Sequence, residues 1–268
     1  MNTMPTSPNS KVNNQENPRW IIKREDPLYG HYVVQQLAYF VVRLIDRTPI
    51  TPNFVTALSF LTGLTGAVLF ALGQRHYFIW GILFINLALI LDCVDGQLCR
   101  RRGTGSNFGA WLDYHTDKLK DGAVLLGWTI GAYKLASAHS AEIVSSFPQT
   151  SLAILYFTVA FLAIFFQFLR NITALNRDIN TLQKTGHKDE PRTFYDTSAN
   201  SGQFIRSLKH SLLFKYADRI LLFTIFGLLG LYFQAIIVYA ALAIFYATLS
   251  AFLNYREGWR ADQVKQPQ

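Results

Sequence analysis

Residues 91–117 read LDCVDGQLCRRRGTGSNFGAWLDYHTD, and an apolar run flanks them on each side. YFIWGILFINLALI precedes the stretch and GAVLLGWTIGAYKLA follows it. Each neighbour belongs to a hydrophobic segment of about 17–25 residues, the length that crosses the hydrocarbon core of a bilayer. Few folds accept that arrangement. Backbone polar groups in lipid must be satisfied within the chain, which leaves helices for runs of this length. Asp92, Asp95, Asp113 and Asp117 then lie at the seam between two spanning helices. Charge in such a place is costly and points to function by default.

Composition agrees with a membrane protein. Charged residues are 16% of the chain, against about 25% in an ordinary soluble domain. The pattern predicts an all-α membrane protein of six transmembrane helices: Phe54–Gly73, Tyr77–Leu98, Phe108–Leu135, Ser151–Leu169, Ala217–Phe233 and Ala235–Tyr255. The charged first turns of the third span are expected to project into the aqueous interface. Residues 1–18, rich in Asn, Pro and Ser, read as a disordered tail with no signal-peptide core. Residues 19–50 read as an amphipathic juxtamembrane helix on the membrane surface, centred on YVVQQLAYFVVRLIDR. Residues 51–260 would form the six-span catalytic domain and 261–268 a cytoplasmic tail. The polar connection 171–215 carries two helical-looking pieces, NITALNRDINTLQ and SGQFIRSLKHSLLFKY, around a looser segment.

Lys and Arg set the orientation. With the amino terminus inside, 21 of the 25 basic residues fall on inner segments, and Lys118 and Lys120 lie at the inner end of the third span. The positive-inside rule assigns both termini and the aspartate seam to the cytoplasmic face. The net charge of +8 then reflects inner loops and anionic lipid, and no nucleic-acid partner is expected. Cys93 and Cys99, six apart on one predicted helix, face different ways and read as reduced structural thiols.

At the seam, Asp92 and Asp95 are three apart and Asp113 and Asp117 four apart, so each pair shares a helix face. A short connection makes the two helices antiparallel neighbours whose acidic faces can meet. Oxygen-only ligands on rigid helices suit Mg²⁺ or Mn²⁺. Two such ions would offset the charge and clamp a pyrophosphate. Gly96 and Gly109 open the helix surfaces beside the carboxylates. Arg100, Arg101 and Arg102 could pair with one or two aspartates, but they do not account for the repeated spacing.

The stretch resembles the signature of the CDP-alcohol phosphotransferases, also called CDP-alcohol phosphatidyltransferases: D-x-x-D-G-x-x-A-R, eight or nine residues, then G-x-x-x-D-x-x-x-D. Asp92, Asp95, Gly96, Arg100, Gly109, Asp113 and Asp117 fall in place. Cys99 stands where alanine is usual, one small residue for another. Upstream, ITPNFVTALS resembles the Pro-Asn-x-x-Thr segment of many members. Thr51 there suits a helix N-cap and Pro52 the first helical position.

The resemblance implies a six-helix enzyme, paired as a homodimer, that moves a substituted phosphate from a CDP-alcohol to an alcohol hydroxyl and releases CMP. It implies that Asp92, Asp95 and Asp113 ligate a two-ion site of Mg²⁺ or Mn²⁺, with Asp117 close to the second ion and acting as the base toward the acceptor hydroxyl. Gly96, Cys99 and Gly109 would line the cytidine and diphosphate pocket. Asn53 and Thr56 could reach the nucleotide, and Arg100 would bind its phosphates or brace an aspartate. Arg170 and Arg219, with Asp218, are expected to face one cytoplasmic cavity and could meet a phosphate-bearing or polyol acceptor; the alternative is that they are positive-inside anchors. Lys118 and Lys120 could meet anionic headgroups, and snorkelling at the interface is the expectation for both. His115 points about 160° from Asp117 on an ideal helix and is expected outside the site.

CRRRGTGSNFG resembles choline and ethanolamine phosphotransferases, whereas the ITPN segment and the LDCVDG opening resemble members that handle inositol. The substrates are left open, a diacylglycerol-bearing donor with a small polar acceptor being the commonest arrangement. Three other classes fit less well. A cation-coupled transporter would carry its acidic groups near mid-membrane. A Mg-dependent membrane prenyltransferase would show two aspartate-rich motifs and eight or nine spans. A scaffold that kept the fold would have no need of an intact ligand set.

Overall fold

The computed structural model describes residue 22 and residues 26–143, 149–185 and 216–264. The tail, the looser segment of the long connection and most of SGQFIRSLKHSLLFKY lie outside these residues. Among the described residues the chain is helical with no strand. A π-helical turn, Gly30–Val34, runs into α1, Gln35–Ile45. Six longer helices follow: α2 Pro52–Ala71, α3 Arg75–Arg102, α4 Asn107–Ile143, α5 Gln149–Thr185, α6 Tyr216–Leu228 and α7 Tyr232–Val264. Four of them hold segments long and apolar enough to cross a membrane: Pro52–Ala71, Arg75–Arg102, Thr150–Thr173 and Tyr232–Arg256.

Local chemistry sets the boundaries that matter for the site. Thr51 Oγ1 accepts from the Phe54 N–H at 3.3 Å, with Pro52 opening α2, as the Thr-Pro pair predicts. Gly103 ends α3 in the left-handed region at φ 64°, and the Thr104 N–H reaches back to the Cys99 carbonyl at 3.2 Å. This stop after three arginines ends α3. The expectation of α3 and α4 as direct neighbours is corrected: α4 packs mainly against α2, which also carries α3, and the acidic ends meet across side chains.

The fifth expected span is corrected. Helix α6 ends at Leu228, short of the expected Phe233. Gly230 adopts φ 74° and the Leu231 N–H bonds to the Phe226 carbonyl at 2.8 Å, closing a Schellman end. The hydrophobic run crosses that break unchanged, so hydropathy joined what the glycine divides. Helix α5 is longer than its span and continues through NITALNRDINTLQ.

The bundle centres on α2, α3 and α4. Trp128 of α4 is fully buried among Phe70, Phe78, Phe223 and Tyr232, and its indole N–H donates to the Tyr232 carbonyl at 2.9 Å. Deeper polar ties cross helices. Asn86 of α3 accepts from the Tyr29 hydroxyl at 2.6 Å and donates to Thr224 Oγ1 of α6 at 2.9 Å. Such bonds hold helices together where burial of apolar surface gives no advantage over lipid.

Helix α1 packs Ala38, Tyr39 and Val42 against Val55, Val94 and Leu98. Its other face exposes Leu37, Phe40 and Leu44. The link from α1 to α2 is held by one side chain. Arg102 donates to the carbonyls of Ile45, Asp46, Thr48 and Ile50 at 2.5–3.0 Å. Arg101 pairs with Asp46 at 2.8 Å. Arg102→Ala leaves those carbonyls without their charged donor. The expected cost is about 2 kcal/mol, read as a lower melting temperature of the detergent-solubilised protein, with Arg101→Ala nearly neutral because a half-exposed ion pair contributes little.

Candidate active site

Helices α3 and α4 bring the four aspartates to one end of the bundle, but not to one point. Oxygen atoms of Asp92, Asp113 and Asp117 lie within 4.8 Å of one another, an arrangement that could hold a metal ion. Asp95 turns elsewhere: buried at 5% exposure, it accepts from Thr56 Oγ1 of α2 at 2.5 Å. Three residues of helix separate Asp92 and Asp95 by about 60°. That fan lets Asp92 face α4 while Asp95 faces α2.

The chemistry of the triad fits a hard divalent ion: three carboxylates from two helices, with no sulfur or nitrogen among the clustered ligands. Asp117 Oδ1 is buried. The charge is partly met by Lys120, whose Nζ lies 2.8 Å from Asp92 Oδ1 and 3.0 Å from Asp117 Oδ1. Here the expectation of a snorkelling lysine is overturned for Lys120, which is 1% exposed. It follows Asp117 by three residues, so both fall on the face that α4 turns inward. Lys118 is exposed with its ammonium 5.3 Å from the Tyr114 ring centroid.

A cleft of about 490 Å³ opens on one side of the seam. Asn53, Thr56, Gly96, Cys99, Arg100 and Gly109 all line it, with Asp95 and Asp113. The two glycines make close approaches possible. A Cβ at Gly109 would come 2.9 Å from Asn53 Oδ1, and one at Gly96 would come 3.3 Å from Arg100 Nη1.

On the other side lies a cavity of about 320 Å³ whose walls include Asp92, Lys118, Arg170 and Arg219. Gly96 and Arg100 belong to both. Asp218, expected with the two arginines, does not line this cavity. Arg219 is buried, pairs with Asp121 and donates to the Tyr239 hydroxyl at 3.1 Å. It is built into the core of the site and is no surface anchor. His115 is exposed, stacked near Trp111 and bonded to its carbonyl at 2.8 Å, outside the triad as expected.

Sequence reasoning missed Lys120, Ser59, Asp121 and Tyr239 as parts of this region. Lys120 and Asp121 follow Asp117 by three and four residues, a spacing that could have flagged both. Ser59 and Tyr239 carry no local signal, since only tertiary packing gives them partners.

A profile of the CDP-alcohol phosphatidyltransferases matches residues 49–247. The chain belongs to this family. Among curated relatives, the phosphatidylinositol phosphate synthase of Corynebacterium glutamicum is 32% identical over 114 residues, 41% of this chain and 51% of the relative. The archaetidylinositol phosphate synthase of Methanothermobacter thermautotrophicus is 29% identical over 111 residues, 40% of this chain and 55% of the relative. The chain thus spans about half the length of these relatives. The crystal structure of a Mycobacterium tuberculosis phosphatidylinositol phosphate synthase in complex with manganese and citrate superposes with a TM-score of 0.50. At 17% identity, over 82% of this chain and 88% of that one, it shares the fold. Membership in the CDP-alcohol phosphatidyltransferase family retires the transporter and prenyltransferase readings of the aspartate seam.

Proposed function

We propose that the chain transfers a substituted phosphate from a CDP-alcohol to the hydroxyl of an acceptor alcohol and releases CMP. One observation carries this reading: the cleft lined by all six expected nucleotide residues adjoins the carboxylate triad, and the triad adjoins a cationic cavity. In the reaction the acceptor oxygen attacks the phosphorus that bears the donor alcohol, the bond from that phosphorus to the CMP oxygen breaks, and CMP leaves. Asn53, Thr56, Gly96, Cys99, Arg100 and Gly109 bind the nucleotide. Asp92, Asp113 and Asp117 would hold Mg²⁺ or Mn²⁺, and Asp95 would serve a second ion. When bound, the ions neutralise and polarise the diphosphate. Asp117 takes the acceptor proton.

The acceptor is read as a phosphate-bearing polyol. Lys118, Arg170 and Arg219 line the 320 Å³ cavity next to Asp92, and Arg219 Nε is buried with no hydrogen bond. Two guanidiniums and an ammonium suit a phosphate. The names of the inositol phosphate relatives support the same choice. An apolar cavity of about 430 Å³, with Leu125, Ile164 and Phe168 in its walls, shares Lys118, Gln167 and Asn171 with the cationic one. It would take the chains of a lipid donor entering between α4 and α5.

The same reading has six spans, both termini and the site on the cytoplasmic face, α1 on the membrane surface, and a homodimer. The exposed Ile154, Phe157, Phe161 and Phe165 of α5 support a face covered by lipid or by a second copy. The test is CMP release from purified protein with Mg²⁺ or Mn²⁺ across CDP-alcohols and acceptors. Metal-dependent release with CDP-diacylglycerol and inositol phosphate is expected. Folded protein that neither releases CMP nor binds CDP would end the enzyme reading.

A further inference from the structure

The carboxylate triad keeps a cation of its own. Lys120 Nζ touches Asp92 Oδ1 at 2.8 Å, Asp117 Oδ1 at 3.0 Å and Ser59 Oγ at 3.0 Å. Ser59 is itself fixed, since its hydroxyl donates to the Ala88 carbonyl at 2.9 Å and so turns a lone pair to the lysine. The stem runs through a slot cut for it. A Cβ at Gly63 would come within 2.6 Å of Lys120 Cγ and 2.7 Å of its Cδ. The Tyr216 ring lies 5.5 Å from the ammonium. A lysine reaching for solvent would not be 1% exposed with four helices shaping its path.

We infer that Lys120 is a resident counter-ion and positioning residue for the metal centre. It holds Asp92 and Asp117 together before any metal enters, and it engages one named oxygen of each. A buried ammonium beside the ligands also weakens metal binding by repulsion. The protein therefore stays assembled without metal, at the cost of a looser grip on it. The inference rests on the triad being the metal centre of the proposed function.

The experiment uses the full chain in detergent and has two readouts that need no turnover. The first is the melting temperature after chelation. The second is Mn²⁺ binding, followed by loss of the free-ion electron paramagnetic resonance signal. Lys120→Met should lower the metal-free melting temperature by about 10 °C, because one partner of a buried pair is removed. It should tighten Mn²⁺ binding about tenfold or more, so that added Mn²⁺ raises its melting temperature more than it raises that of the natural protein. Asp92→Asn added to Lys120→Met should recover most of the metal-free loss, since charge then leaves in a matched pair.

Equal metal-free melting and equal Mn²⁺ affinity in Lys120→Met and the natural protein would overturn the inference. So would a double variant no more stable than Lys120→Met, because the lysine would then serve packing alone. If Lys120→Met does not fold, the double variant decides: folding supports the charge role and failure overturns it. Absence of Mn²⁺ binding in every form would refute the metal reading while leaving the metal-free comparison intact.

Discussion

Replacing Asp117 by Asn is expected to cut CMP release by about 10²- to 10⁴-fold in protein that still folds. The substitution keeps shape and removes charge. Lys120 retains Asp92 Oδ1 at 2.8 Å and Ser59 Oγ at 3.0 Å, so the ammonium is not stranded. Two roles are lost together, a ligand oxygen and the group that takes the acceptor proton. They separate by titration with Mn²⁺. A pure ligand defect recovers as the metal is raised to saturation, whereas loss of the base persists at every concentration. We expect the second pattern, because Asp92 and Asp113 remain to hold the ion. Turnover within tenfold of the natural protein at saturating Mn²⁺ would remove Asp117 from the base role. Asp95→Asn makes the contrast. Asp95 lines the nucleotide cleft and is tied to Thr56, so its loss should also weaken CDP binding, an effect Asp117→Asn should not share.

The contrast between Asp95 and Asp117 shows what the residues alone could and could not reveal. Spacing at three and four residues put each aspartate pair on one helix face, and the motif placed Gly96, Cys99, Arg100 and Gly109 around a nucleotide. All of these line one cleft. Spacing could not show that α2 packs against both α3 and α4, and so could not show that Thr56 of α2 draws Asp95 away from the triad. Lys120 illustrates the same limit. A lysine near the end of a span usually snorkels, and only the slot at Gly63 and the hydroxyl of Ser59, both on α2, draw it inward. Arg219 was left between acceptor contact and anchor because its partners, Asp121 and Tyr239, come from other helices. Residues that meet through local periodicity were legible; those that meet through the packing of distant helices were not.

That packing rests on the crossing of α2 and α4, and Gly131→Val is expected to abolish it. A Cβ at Gly131 would enter the shell of the Phe70 carbonyl oxygen, and one at Gly127 that of the Ala67 carbonyl. Both obstacles are backbone atoms, which cannot turn aside as a side chain would. The two glycines are four apart, a small-xxx-small stripe that lets helices in lipid approach closely. Forcing a branched side chain into that contact should cost at least about 3 kcal/mol. The loss should appear as a fall in the monodisperse fraction after extraction. Gly122→Ala on the same helix is the control, since nothing lies within 4 Å of a Cβ there. The consequence reaches the chemistry. Asn53, Thr56 and Ser59 ride on α2, while Asp113, Asp117 and Lys120 ride on α4. The crossing therefore sets the register between the nucleotide cleft and the carboxylates. Any Gly131→Val protein that survives extraction should bind CDP poorly and melt lower. If instead it is monodisperse and binds CDP normally, the α2–α4 crossing does not set that register.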